Sequence, residues 1–156
     1  MQTFLPYKDF QKTVECLDYK RLGKQRVETM QIMNVLCGLS SGWANHPAVL
    51  MWENYEEKLL EYQFVTIAEW TARGYKDNVC LDKTIAAFEC LNGPFKEPWW
   101  LGNHNLHQSH QSNLLRKNFE HYSQFGWSVR NDIEYWWPTK EVPECPIKML
   151  ATATFQ

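Results

Sequence analysis

The spacing of its apolar residues most constrains what this chain can fold into. They recur at a helical period through most of the length, and alternating β-branched stretches are scarce. Start and stop residues mark the expected helices. Asp9 can cap a short helix running to about Leu17, and a second covers roughly Asp18 to Cys37, ending at Gly38. Pro47 suits the first position of a long helix over residues 47–73, stopped by Gly74, which at ~1.5 Å per residue would extend about 40 Å. Asp82 can cap a further helix through about Leu91, and another spans His104 to Lys117. Beyond Asn118 short aromatic pieces are broken by Gly and Pro, and a tail from about residue 143 docks or frays. Neither repeats nor linkers interrupt the 156 residues, so the expectation is all-α: a single compact helical domain over 1–156, with one long central helix and an aromatic-rich, irregular C-terminal part.

Charge and cysteine usage narrow the class. A net charge of −2 argues against indiscriminate duplex DNA binding, which usually needs a basic surface. The five cysteines are scattered, odd in number and never spaced as CxxC, a pattern of reduced, mostly buried thiols. The first ten residues lack a basic segment followed by an apolar one, and no apolar run approaches the ~20 residues needed to span a bilayer. A cytoplasmic protein with no membrane partner is expected. Eight Trp, seven Tyr and eight Phe exceed what a core of this size usually needs, and the surplus offers rings on which bases can stack.

The most charged stretch is "LDYKRLGKQRVE", residues 17–28, which holds Lys20, Arg21, Lys24 and Arg26 and ends on Glu28. On a helical wheel Arg21, Lys24, Gln25 and Gln31 all fall on the same face as Glu28, with Arg21 nearest to it. Leu22, Met30, Met33 and Cys37 gather on the opposite side, and Arg26 falls among them. One reading is a solvated face with a Lys24–Glu28 pair, although Lys before Glu is the weaker orientation. The other is a pocket wall, since a guanidinium on a core face needs a paired carboxylate or a bound anion. A carboxylate framed by cations suits stabilising a developing positive charge or accepting a proton.

The segments "MQTFLPY", "LDYKRLGKQRVE", "NHPAV", "EWTARGY", "PWWLGN" and "HQSHQSNLLRK" together resemble the pyrimidine-dimer DNA glycosylase family, most closely its bacterial branch. The resemblance implies a compact α-helical domain that excises a damaged or modified pyrimidine and then cleaves the strand, with no cofactor and no metal. It implies that the α-amine at the start of the chain attacks C1′ and forms an imine, that a helix glutamate assists the sugar chemistry, and that basic residues hold the flanking phosphates. Carried over by position, Glu28 matches the family glutamate. Arg21 stands where the family's phage member has a histidine, and Arg26 lies one residue from a family arginine. Gln2 is too large for efficient removal of the initiator methionine, so the implied nucleophile is the amine of Met1. The slightly acidic balance implies weak searching along duplex DNA and directs attention to a smaller or single-stranded substrate.

Other residues carry paired readings. Lys20, Lys24 and Gln25 are phosphate or base contacts if the helix lines a pocket, and solvated polar residues if it does not. His107, His110 and Asn113, with Arg116 and Lys117, either contact a phosphate or base or form a polar face packed on a neighbouring helix. The steps from His104 to His107 to His110 rotate around the helix, which does not suit one metal ion. His46 either caps the helix at Pro47 or faces the pocket. Trp99 and Trp100 either stack on an extruded base or serve as one core ring and one lid ring, and Trp136 and Trp137 raise the same pair of readings. Two functions fit: an N-glycosylase with lyase activity whose partner is DNA with a damaged or modified base, or a non-catalytic protein that sequesters a free nucleotide or cyclic nucleotide.

Overall fold

The computed structural model describes residues 1–138, and the tail expected from about 143 lies outside them, as does Cys145. The order is α1 (Phe10–Cys16), α2 (Tyr19–Leu36), α3 (Pro47–Leu50), α4 (Glu56–Ala72), α5 (Cys80–Glu89), α6 (His104–Lys117) and α7 (Phe119–Tyr122), followed by a 3₁₀ turn at Ser123–Phe125. The fold is all-α, and among the described residues there is no β-strand. Local capping explains most boundaries. Asp9 accepts the Lys12 N–H (2.7 Å) to start α1, and Gly38 and Gly74, with φ of 84° and 95°, close α2 and α4 in the left-handed conformation glycine tolerates. His46 caps α3, its Nδ1 accepting the Ala48 N–H at 3.0 Å.

The long helix expected over 47–73 is broken into α3 and α4, and α4, the longer piece, runs about 25 Å. The cause is tertiary. In a continuous helix the Met51 carbonyl would accept from Tyr55, but here it accepts the Trp100 indole N–H (3.0 Å), while Tyr55 N–H turns to the Trp52 carbonyl at 2.8 Å. Asn54 takes a φ of 76°, its N–H donates to Glu56 Oε1 (3.1 Å) and its carbonyl accepts from Lys96 N–H (2.8 Å). Buried Trp52 also donates its indole N–H to Thr3 Oγ1 at 2.9 Å. The α5 boundary moves as well: the helix starts at Cys80, with the Asp77 carboxylate accepting Leu81 N–H (3.0 Å), so Asp82 lies in the first turn and is not the cap. Asp18 precedes α2, but its carboxylate makes no cap bond.

Helices α2, α4 and α5 pack on one another, and α1 lies against α4. Between the elements run two apolar clusters. One gathers Leu5, Ile32, Met33, Trp52, Leu59, Tyr62, Trp100 and Leu106; the other gathers Phe4, Val14, Leu17, Leu22, Leu114 and Tyr122. Residues 2–6 are buried outside any helix or strand, sending Phe4 into one cluster and Leu5 into the other. The chain start is thus built into the core. Trp100→Phe leaves the Met51 carbonyl buried without its donor, and we expect a loss of about 1–3 kcal/mol in urea unfolding. An unchanged midpoint would show that this indole bond does not hold the break between α3 and α4.

Candidate active site

Residues buried outside any helix or strand must find partners for their backbone groups elsewhere. In this chain side chains supply them. Gln25 on α2 accepts the Phe4 N–H through Oε1 (2.8 Å) and donates through Nε2 to the Gln2 carbonyl (3.0 Å). The Tyr62 hydroxyl on α4 lies 2.9 Å from the Phe4 carbonyl and 2.8 Å from Gln25 Oε1, sharing its one proton between these acceptors. From α6, His110 Nδ1 accepts the Leu5 N–H at 2.8 Å, His107 Nδ1 bonds the Leu5 carbonyl at 2.7 Å and Gln111 donates to the Pro6 carbonyl at 2.8 Å. His107 Nε2 accepts Gly102 N–H (2.9 Å), so its proton is on Nδ1 and the ring is neutral.

The clamp brings the chain start to Glu28. Glu28 Oε2 accepts from Gln2 N–H at 3.4 Å and from Gln25 Nε2 at 3.2 Å. Among the described residues Oε1 accepts nothing. Met1, Gln2, Phe4, Gln25, Glu28 and Tyr135 line a cavity of about 430 Å³ together with the basic residues Lys20, Arg21, Lys24 and Lys117. Arg21, Lys24, Gln25 and Glu28 share it because steps of three and four residues fall on one helix face. Gln31, on the same face, opens onto a neighbouring groove that Glu28 also lines.

Electrostatics set the state of the wall. Arg21 is tied to Asp18 at 2.9 Å. Burial opposes the charge on Asp18, but hydrogen bonds from Tyr122 (2.6 Å) and Arg21 more than offset it and hold the carboxyl below its usual range. Lys20, Lys24 and Lys117 have no ion pair among the described residues and are exposed. Burial pushes the phenol of Tyr135, a lining residue, up to about 12, with Arg116 and Arg21 pulling the other way and Glu28 adding to the rise. Burial lowers His46, and the positive charge of the α-amine lowers it further.

Several residues proposed from sequence are placed elsewhere. Arg26 does not line the cavity. It pairs with Asp77 at 2.5 Å and lies 4.4 Å from the Trp70 ring centroid, so the carboxylate its core-side position required is Asp77. Gln25 does line the cavity, but it is fully buried and its amide is already bonded to the Phe4 N–H, the Gln2 carbonyl, Tyr62 and Glu28. His107 and His110 serve the backbone of Leu5, not a phosphate or base. Asn113 donates to the Ser109 and Ile133 carbonyls (2.7 and 3.1 Å), and Arg116 donates to the Asn131 and Ile133 carbonyls (2.5 and 2.8 Å), so both fasten the C-terminal segment onto α6. Trp100 is a core ring, and Trp99 lines a separate cavity of about 550 Å³ with Pro47, Leu50 and Tyr55. His46 caps α3 and packs edge-on against Trp43 and Trp137. Tyr135 and Gln2 were missed. Nothing in the local pattern around Tyr135 separates it from the other rings of "EYWWP", and Gln2 acts mainly through its backbone.

The sequence profile of the family described as pyrimidine dimer DNA glycosylase matches residues 1–82, more than half of the chain, and the chain belongs to that family. No curated protein and no solved structure matches it. The match takes in Met1, Arg21, Lys24 and Glu28, while Lys117, Tyr135 and the α6 histidines lie beyond it. Its function is therefore of the DNA-repair glycosylase type, with DNA as the substrate that the family binds. No helix among the described residues is long and apolar enough to cross a membrane.

The histidines of α6 give this architecture a pH dependence. Burial drives His110 down to about 3, with His107 adding to the fall, and burial lowers His107 too. Once unfolded, a histidine binds a proton below about pH 6.5. Between that value and about 3 the unfolded chain therefore binds protons that native His110 refuses, and stability falls as pH drops. We expect the urea midpoint to decline from pH 7.5 to pH 5, and to decline less in His110→Gln. Equal declines in both proteins would remove His110 as a source.

Proposed function

We propose that this chain excises a damaged or modified pyrimidine from DNA and cleaves the strand through an imine on the Met1 amine. One observation carries the reading: the first residue and the Glu28 carboxylate open into one cavity rimmed by Lys20, Arg21, Lys24 and Lys117. In the reaction the amine nitrogen bonds C1′ as the bond from C1′ to the base breaks, and the base departs with the electron pair. The amine then loses a proton and the sugar ring opens to the imine. Loss of a C2′ proton next expels the 3′ phosphate. Such steps place positive charge on the sugar carbon, and an ionised carboxylate beside it stabilises that charge, as in glycosidases. Glu28 suits this role because Oε2 is held by Gln2 and Gln25 while Oε1 is left to face the ligand. The three lysines, unpaired among the described residues, suit the flanking phosphates, and the neutral Tyr135 phenol is a donor for the sugar or base.

The cavity, at about 430 Å³, also falls within the range of small-ligand sites, which keeps sequestration of a free nucleotide as the competing reading. Borohydride reduction with DNA containing an abasic site separates them. The imine reading expects a covalent protein–DNA adduct that disappears when the N-terminus is acetylated or extended by one residue. It expects Glu28→Gln to slow base excision on the order of 10²-fold or more, a typical loss for a positioned catalytic group. An adduct that survives a blocked N-terminus would move the nucleophile to a lysine. Tight mononucleotide binding with no adduct would favour sequestration.

A further inference from the structure

The catalytic cavity does not end at its own rim. Lys20, Arg21 and Lys117 also wall a second concavity of about 620 Å³ between the start of α2 and the end of α6, completed by Tyr19, Arg73, Asn118 and His121 above Asp18. Its charge is one-sided. Among the described residues the only carboxylate in it, Asp18, is already bonded to Arg21 and Tyr122, and Arg73 is paired with Glu69 and bonded to the Leu17 and Val14 carbonyls. Lys20 and Lys117 have no ion pair among the described residues.

Tyr19 gives this groove its second property. It is 55% exposed, although it is the first residue of α2 and its neighbours Asp18 and Leu22 are buried. Among the described residues its ring meets no other aromatic ring and its hydroxyl makes no hydrogen bond. Trp70 and Tyr75, the nearby pair, are by contrast stacked on each other at 4.2 Å, and Arg26 lies over Trp70. Tyr19 and Lys20 also line a neighbouring groove, with Gly23, Val27 and Trp70. An exposed ring flanked by unpaired lysines is the chemistry that holds single-stranded nucleic acid: bases stack on the ring and phosphates meet the cations.

We propose that this groove is a subsite for the nucleotide adjoining the one in the Glu28 cavity, its base stacked on Tyr19 and its phosphates held by Lys20 and Lys117. The subsite rests on the excision reading for its neighbour, and it specifies the form of the substrate. A base against Tyr19 has left the duplex stack, so the strand is unpaired on that side of the lesion.

The test uses an oligonucleotide with a tetrahydrofuran abasic analogue, which cannot form an imine, and the fluorescent base 2-aminopurine in two versions, one on each side of it. We expect the full-length protein to bind the single strand more tightly than the same strand fully paired, and to quench 2-aminopurine in one of the two positions. Tyr19→Phe should retain the quench. Tyr19→Ala should abolish it and weaken binding about ten-fold while the protein remains folded at the assay temperature, checked by its thermal midpoint. Lys20→Ala and Lys117→Ala should each reduce the slope of log K against log salt by about one. Quenching and affinity unaltered in Tyr19→Ala, or equal affinity for single and paired strands, would overturn the subsite. Quenching by the wild-type protein without a borohydride adduct on a true abasic strand would retain it and remove the imine mechanism instead.

Discussion

The structure depends on one constraint: a buried backbone must have its hydrogen bonds, and residues 2–6 have no helix or sheet to provide them. Gln25, Tyr62, His107, His110 and Gln111 meet that need from three different helices, so α2, α4 and α6 are tied together through the chain start. Each of these side chains would be a liability in a core without its partner, because an unmade buried hydrogen bond costs more than a made one contributes. The two apolar clusters meet along this segment, with Phe4 serving one and Leu5 the other.

The site follows from that arrangement. A chain terminus is ordinarily the least ordered part of a domain, a poor place for a group that must be positioned. Here the hydrogen bonds begin at the Gln2 N–H, one residue after the amine, and that N–H bonds Glu28 itself. The same contact orients the carboxylate and locates the chain start against it. Gln25 reinforces both, since its amide bonds the Gln2 carbonyl and Glu28 Oε2. In the reaction we propose, groups fixed by the fold in this way would need little reorganisation when a substrate enters.

Parts of this were legible in the sequence because they are local. The polar face of α2 centred on Glu28 follows from helical geometry, and Arg21, Lys24, Gln25 and Glu28 do line one cavity. The position of Arg26 on the core side was equally legible, and so was its need for a partner. That the partner is Asp77, 51 residues away, was not. The break between α3 and α4 escaped for the same reason. The stretch 47–73 has a helical pattern throughout, and an indole from Trp100 takes the carbonyl that the helix would have used. The polar face of α6 suggests a ligand surface as readily as a packed one, because His107, His110 and Asn113 share it. Their true partners, Leu5 and Ile133, are distant in the chain.

By itself, then, the sequence determined the helical class, most helix ends, the family resemblance and the grouping of charges around Glu28. These rest on spacing and capping, which act within a few residues. Only the tertiary structure decided which polar residues belong to the cavity and which are consumed in building it. Gln25 and His110 are polar like Lys24 and Lys117, but the first two are buried against the N-terminal backbone and the second two are exposed, with no ion pair among the described residues. Buried donors and acceptors are satisfied by whatever the fold brings to them, across any sequence distance, and that pairing has no local signature.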